Sequence, residues 1–333
     1  MTLTASTSSY VLRKLVERKN SRIITSRKCF SLKCLSMAMS SEPPITPNED
    51  IPPLKQKIVH DFRNISSSRI VYGAGLCSTG SFATTRLIES PTAPEQIYKP
   101  MMIKAMNAKK INRVAAGFGF SLFASSTELF GSGLNNFYQI GGPLRTEKKD
   151  YKESKQWYVG GRRIMLPEDS GKIRDLSAGR LHSLIATENS LFAMGDNAHG
   201  QCGHDPAEHP VVANSQKNKW LKINVPWDWT ASKIRSVHCC LDTSFVLLES
   251  GELYAFGLGS DGQLGNGNDE IQWEPQLVEG DLKGEKISRI AGSTDTLIAV
   301  SVSGEVFIWG QNEYGQLGCY QMSPRFSTHN MFL

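Results

Sequence analysis

The sequence predicts an all-β fold of the β-propeller type, and three observations carry that prediction. One motif returns five times along the chain, each return reads as short paired strands, and the dipeptides between paired runs suit tight turns. The copies read IVYGAGLCSTGSF (70–82), LFGSGLNNFYQIG (129–141), LFAMGDNAHGQCG (191–203), LYAFGLGSDGQLG (253–265) and VFIWGQNEYGQLG (306–318). Their first glycines are Gly73, Gly131, Gly195, Gly257 and Gly310, spaced by 58, 64, 62 and 53 residues. A period near 60 marks a repeat architecture.

The elements follow in chain order. Residues 1–40 hold eight Lys/Arg, one acid (Glu17) and many Ser/Thr, the composition of an organellar transit peptide. Basic and apolar residues interleave from Tyr10 to Ile24 and suit an amphipathic helix, so the expectation is mitochondrial import; a basic tail and a nuclear localisation patch are the other readings. Residues 41–66, with Pro43, Pro44, Pro47, Pro52 and Pro53, read as a linker. From 67 to 319 each motif after the first is preceded by a second alternating run: AAGFGFSLFAS (115–125), LSAGRLHSLIAT (176–187), VHCCLDTSFVLL (237–248) and RIAGSTDTLIAVS (289–301). Ser126-Thr127, Asn189-Ser190, Ser250-Gly251 and Ser303-Gly304 separate the runs as hairpin turns. A lone hairpin cannot bury its faces, and stacking such units about an axis makes a propeller. Residues 320–333 lose the pattern and read as a non-repeat tail.

Composition narrows the function classes. Hydrophobic residues make up 40% and charged residues 21%, ordinary globular usage. The overall charge of +5 sits in the amino-terminal segment, because the other 293 residues carry 29 basic and 31 acidic groups. A body of that balance argues against coating nucleic acid with the whole surface. Seven cysteines without a C-x-x-C pair read as reduced thiols, and no apolar run has the length of a membrane span; peripheral attachment stays open.

The unit A-G-x-x-H-S-L-x-A-T followed by L-x-x-x-G-x-N-x-x-G-Q-x-G resembles the repeat of the regulator of chromosome condensation family. The carriers are Gly-Gln-Leu-Gly at 262–265 and 315–318, with the variant at 200–203, ending in Gly265, Gly318 and Gly203. The resemblance covers about three-quarters of the chain and, with the basic leader, looks most like the family's mitochondrial branch. It implies a seven-bladed propeller, of which about four and a half units are present. The expectation is therefore an incomplete ring from a truncated isoform or an incomplete gene model, which would expose strand edges.

The resemblance also implies a non-catalytic interaction protein without cofactors. Two roles follow: assembly of the mitochondrial ribosome with large-subunit ribosomal RNA and pseudouridine synthases, and guanine nucleotide exchange on the dynamin-like GTPase of inner-membrane fusion. The alternatives are an exchange factor for a Ran-like GTPase in nucleus or cytosol, or a non-functional truncated form. GTPase-contact candidates are Asp242 and Asp295 in inter-strand loops, with Arg180 beside them. RNA-contact candidates lie in the basic insertion 145–163: Arg145, Lys148, Lys149, Tyr151, Lys152, Trp157, Arg162 and Arg163, cations for phosphate and rings for stacking.

The remaining motifs take plainer readings. Glycine pairs such as Gly73-x-Gly75 and Gly117-x-Gly119 lack the context of a nucleotide loop. His182 shares its position with Phe120, Thr243 and Asp295 and reads as a packing site. His199, Cys202, His204 and His209 could ligate metal, but Cys202 fills a leucine slot and should face inward, so no metal is expected. Cys239 and Cys240 are adjacent on a strand and should be buried on opposite faces. Trp227-Asp228-Trp229 is either an exposed partner contact or a clasp on its blade.

Overall fold

The computed structural model describes residues 70–84, 94–141, 157–213, 220–318 and 326–330. It is an arc of antiparallel blades that does not close among the described residues. The first sheet is half a blade, β1 (Tyr72–Leu76) paired with β2 (Gln96–Met102), followed by the single-turn helix α1 (Lys104–Asn107). The second blade is β3 (Arg113–Ala116), β4 (Phe120–Ala124), β5 (Leu129–Leu134) and β6 (Trp157–Ile164). The third is β7 (Ile173–Ala178), β8 (His182–Thr187), β9 (Leu191–Asp196) and β10 (Val211–Val212). The fourth is β11 (Ile234–Cys239), β12 (Thr243–Leu248), β13 (Leu253–Gly257) and β14 (Gln272–Leu277). The fifth is β15 (Ile287–Ser293), β16 (Thr296–Ser301), β17 (Val306–Gly310) and β18 (Phe326–Asn330). No helix of the described residues is long and apolar enough to cross a membrane.

The second strands of the inner blades, β4, β8 and β12, are buried at every residue. One face of each meets the preceding blade and the other meets the following blade. Phe120, Leu122 and Ala124 share a core with Ile173, Leu176 and Ile185 of the third blade. Leu184 and Ala186 pack with Val237 and Val246 of the fourth, and Phe245 and Leu247 with Leu297 and Phe307 of the fifth. The hairpin turns lie where the dipeptides place them. In the β8–β9 turn the Thr187 amide donates to the Ser190 carbonyl at 2.9 Å, while the Ser190 amide donates to the Thr187 hydroxyl at 3.0 Å.

Strand register corrects four sequence readings. Phe120, His182, Thr243 and Thr296 pair with Gly133, Gly195, Gly257 and Gly310. The residue equivalent to His182 in the fifth blade is thus Thr296 and not Asp295, because the β15–β16 connection shifts the count by one. The glycine equivalent to Gly195 in the second blade is Gly133, not Gly131. Gly75, Gly133, Gly195, Gly257 and Gly310 share φ between 99° and 124°, which singles out Gly75 rather than Gly73 in the half blade. The reason is a close approach: a Cβ on Gly133, Gly195, Gly257 or Gly310 would lie 2.0–2.4 Å from the carbonyl oxygen of Gly119, Leu181, Asp242 or Asp295. Phe326–Asn330 belongs to the last blade as β18, antiparallel to β17, so the repeat extends into the segment read as a tail.

The Trp-Asp-Trp segment is the clasp. Trp227 is 8% exposed, its ring 4.9 Å from that of Tyr254 and 6.0 Å from that of Trp229. Cys202 is buried in the core shared by the third and fourth blades. Cys239 packs into that core and Cys240 into the next one, on opposite sides of the strand. Burial pushes both thiols up, Cys239 to about 12.

Candidate functional site

The connections between first and second strands gather on one face of the arc. The approach that requires glycine holds them there: the amides of Leu134, Asp196, Leu258 and Gln311 donate to the carbonyls of Gly119, Leu181, Asp242 and Asp295 at 2.9–3.0 Å. Asp242 and Asp295 are therefore the same position in successive blades. Their side chains stand at the rim with Arg180 of the preceding blade.

Arg180 spans two blades. Its amide donates to the Leu241 carbonyl at 2.9 Å, its Nε donates to Asp242 Oδ1 at 3.2 Å and its Nη2 to Asp242 Oδ2. The pair is bidentate, with the guanidinium side chain 42% exposed and the carboxylate side chain 4% exposed. Burial pushes the Asp242 carboxyl up, and Arg180 only partly opposes the shift. Asp295 is half-buried and accepts from Gln263 Nε2 at 3.3 Å. Burial pushes its carboxyl up as well, with the Asp261 and Asp242 charges adding to the effect. Among the described residues no lysine or arginine forms an ion pair with Asp295. The face thus carries the Asp242 carboxylate in a bidentate pair with the half-exposed Arg180, and Asp295, which the Arg180 charge reaches without an ion pair and which the Asp261 charge opposes, across three blades. It can bind and orient charged groups.

Beneath this face lies a polar layer absent from the sequence reading. Gln139, Gln201 and Gln263 are fully buried, and their side-chain oxygens accept the amides of Phe137, His199 and Asp261. Their main-chain oxygens accept from the next blade: Ser183 Oγ to Gln139 and Ser244 Oγ to Gln201 at 2.7 Å, Trp309 Nε1 to Gln263 at 2.9 Å. The recurrence of Gln-x-Gly at the end of the motif, at 139–141, 201–203 and 263–265, was the signal that could have found it. His182 is a packing residue in this layer, its Nε2 2.9 Å from Ser244 Oγ. The Ser244 proton is committed to the Gln201 carbonyl, so His182 Nε2 is the donor and Nδ1 is bare and buried. Burial pushes the imidazole down to about 3, and the Arg180 charge acts in the same direction.

The other candidates are not brought together here. Arg162 and Arg163 belong to β6: Arg162 Nη1 donates to the Gly141 carbonyl at 3.3 Å, and Arg163 lies 3.4 Å from Glu128. Trp157 begins the same strand, while Arg145, Lys148, Lys149, Tyr151 and Lys152 lie outside the described residues. Among the described residues no three His, Cys, Asp or Glu side chains form a metal-binding group. Cys202 Sγ instead approaches the Asp196 carbonyl at 3.3 Å.

The family model described as the regulator of chromosome condensation (RCC1) repeat matches residues 250–300 and 303–328. The mouse RCC1-like G exchanging factor-like protein is 34% identical over 232 residues, 67% of this chain and 49% of the relative. The chain belongs to the RCC1 repeat family. The human protein of the same name is 32% identical over 67% of this chain and 48% of its own length. The chain therefore spans about half the length of these RCC1 relatives. Human WBSCR16 superposes with a TM-score of 0.68 at 27% identity, covering 79% of this chain and 67% of that one. Yeast RCC1 (Prp20), solved bound to Kap60, superposes with a TM-score of 0.58 at 19% identity over 77% of this chain and 56% of that one, a likeness of fold.

Proposed function

We propose that this RCC1-type arc is a guanine nucleotide exchange factor that uses the face bearing Arg180, Asp242 and Asp295. The carrying observation is the bidentate Arg180–Asp242 pair joining two blades, beside Asp295, which has no ion-pair partner among the described residues. Exchange needs no covalent chemistry. It requires a surface that binds the nucleotide-free GTPase more tightly than the loaded one, so that differential affinity shifts the equilibrium toward release. A carboxylate that burial leaves incompletely compensated gains from a partner's lysine or arginine, and the half-exposed Arg180 can engage a partner carboxylate. The names of the mouse and human relatives support the reading.

The basic leader supports a mitochondrial address. With it, the finer readings are exchange on the dynamin-like GTPase of inner-membrane fusion and assembly of the large ribosomal subunit through the 145–163 insertion. A Ran-like GTPase is the alternative substrate.

The experiment is release of a fluorescent GDP analogue from the dynamin-like and Ran-like GTPases at substoichiometric chain. Acceleration is expected with one of them, reduced about tenfold or more by Asp295→Ala, with the fold checked by circular dichroism. No acceleration of either GTPase refutes the reading. Protease protection after import into energised mitochondria checks the address.

A further inference from the structure

The turns between second and third strands lie on the face opposite the Arg180–Asp242–Asp295 rim, and one arrangement recurs there. The amides of Glu188, Glu249 and Val302 donate to the carbonyls of Lys172, Lys233 and Lys286 at 2.7–3.0 Å, which makes the three turn residues equivalent in the third, fourth and fifth blades. Two residues after each lysine, at the register irregularity of the first strand, stand Arg174, Arg235 and Ser288. Arg174 reaches forward to the next blade, where its Nη1 lies 2.9 Å from Glu249 Oε1, both side chains partly in solvent. Arg235 reaches forward in the same way and meets no acid, because the equivalent of Glu249 there is Val302, 67% exposed. Its Nη1 donates to the Ser288 carbonyl at 3.4 Å instead. Among the described residues it forms no ion pair, Glu285 and Glu305 beside that turn included.

We propose that Arg235, with Lys233, Lys286 and Val302 around it, docks an acidic segment of a partner protein, whose carboxylate takes the position that Glu249 holds against Arg174. The series itself names the occupant, since the filled copy of the position holds a carboxylate. The surroundings suit more than one acid. Lys286 is exposed and joined to the fourth-blade turn, where the Ile287 amide donates to the Gly251 carbonyl at 2.9 Å. Lys233 is half-buried, its Nζ 3.4 Å from the Glu188 carbonyl. Val302 adds exposed apolar surface, so the segment carries an apolar residue beside its acid. A nucleic-acid strand would bring phosphate, but none of the four residues offers a ring on which a base could stack. Exposed charge pairs are individually weak, so the segment binds through several at once and loosens with salt. This surface is separate from the exchange face and does not rest on that reading.

The test titrates the full chain into a fluorescently labelled oligoglutamate peptide with one central leucine, and into an oligouridine RNA of the same charge, and follows anisotropy. Saturable binding of the peptide is expected, weakened about fivefold or more by Arg235→Glu and by Val302→Glu, which supplies within the chain the acid that Glu249 gives to Arg174. Val302→Gln, which adds the bulk without the charge, should cost less than about twofold, and Glu249→Gln, which releases Arg174, should strengthen binding about twofold. Tyr98→Ala, at an 88% exposed position on β2, leaves binding unchanged. Thermal melts show that the variants fold. Absence of peptide binding overturns the proposal, as does tighter binding of the RNA, which would assign the cations to phosphate. Equal losses for Val302→Glu and Val302→Gln, or a loss for Glu249→Gln, overturn it as well.

Discussion

Acidification acts on His182 in a direction and size fixed by its surroundings. The ring is buried, its Nε2–H is spent on Ser244 Oγ and its Nδ1 faces no acceptor, so the folded protein has no place for a second proton. The folded pKa lies at about 3 against 6.5 for the unfolded chain. Between those values the unfolded state binds the extra proton and the folded state does not, so stability falls as pH drops below 6.5. Each pH unit is worth about 1.4 kcal/mol, so moving from pH 7 to pH 5 removes about 2 kcal/mol through this residue. Burial also lowers His204, to about 4, and His238, adding to the slope. The raised Asp242 and Asp295 act oppositely, since the folded state holds their protons more tightly. The assay is urea unfolding followed by tryptophan fluorescence at pH 7 and pH 5 for the native chain and His182→Phe, the side chain that Phe120 supplies at this position one blade earlier. The native chain should lose about 2 kcal/mol more than the variant over that interval. Equal losses would refute the buried neutral tautomer, whatever the absolute stability of the variant.

Two further substitutions test the blade interfaces. Gly195→Ala forces a Cβ to 2.2 Å from the Leu181 oxygen at φ 124° and should destabilise by more than about 2 kcal/mol, whereas Gly267→Ala, also at positive φ but with open space, costs about 1; paired thermal melts compare them. Trp309→Phe keeps the ring packed but removes the donor to the buried Gln263 carbonyl, so unfolding midpoints should report a loss of about 1–3 kcal/mol.

The repeat was legible because glycine and glutamine recur in register, and the hairpin turns because a hydroxyl beside a short polar pair closes its own turn, as Thr187 does with Ser190. The positions that went astray are those where letters do not reveal conformation. Gly131 and Gly133 look alike in sequence, but only Gly133 has φ 106° and faces the Gly119 carbonyl. The β15–β16 connection makes Ala-Gly a false anchor for Asp295. Fourth strands are hardest to read: only Pro275 of the six residues of β14 is buried, so little apolar alternation marks it, and the letters of β18, FSTHN, carry no alternating apolar run either. Arg180 and Asp242 stood out as charged loop residues 62 positions apart, but nothing in their order could show that one neutralises the other.

That pairing ties the candidate site to the arc. Arg180 belongs to the third blade and Asp242 to the fourth, so their geometry exists only while the core of Leu184, Val237 and Val246 holds the blades in register. The Gly195 and Gly257 approaches fix the height of both loops, and the Gln201–Ser244–His182 chain fixes their spacing from below. Asp295 depends in the same way on the contact between fourth and fifth blades, where the Gln263 side chain reaches its carboxylate and the Gln263 carbonyl receives Trp309. A surface built across blade boundaries is rigid only as far as those boundaries are, and preorganisation is what a differential binding task requires. Exchange activity, if it resides on this face, must then fall with interface variants that touch no charged residue, Gly195→Ala among them, in proportion to the register they disturb.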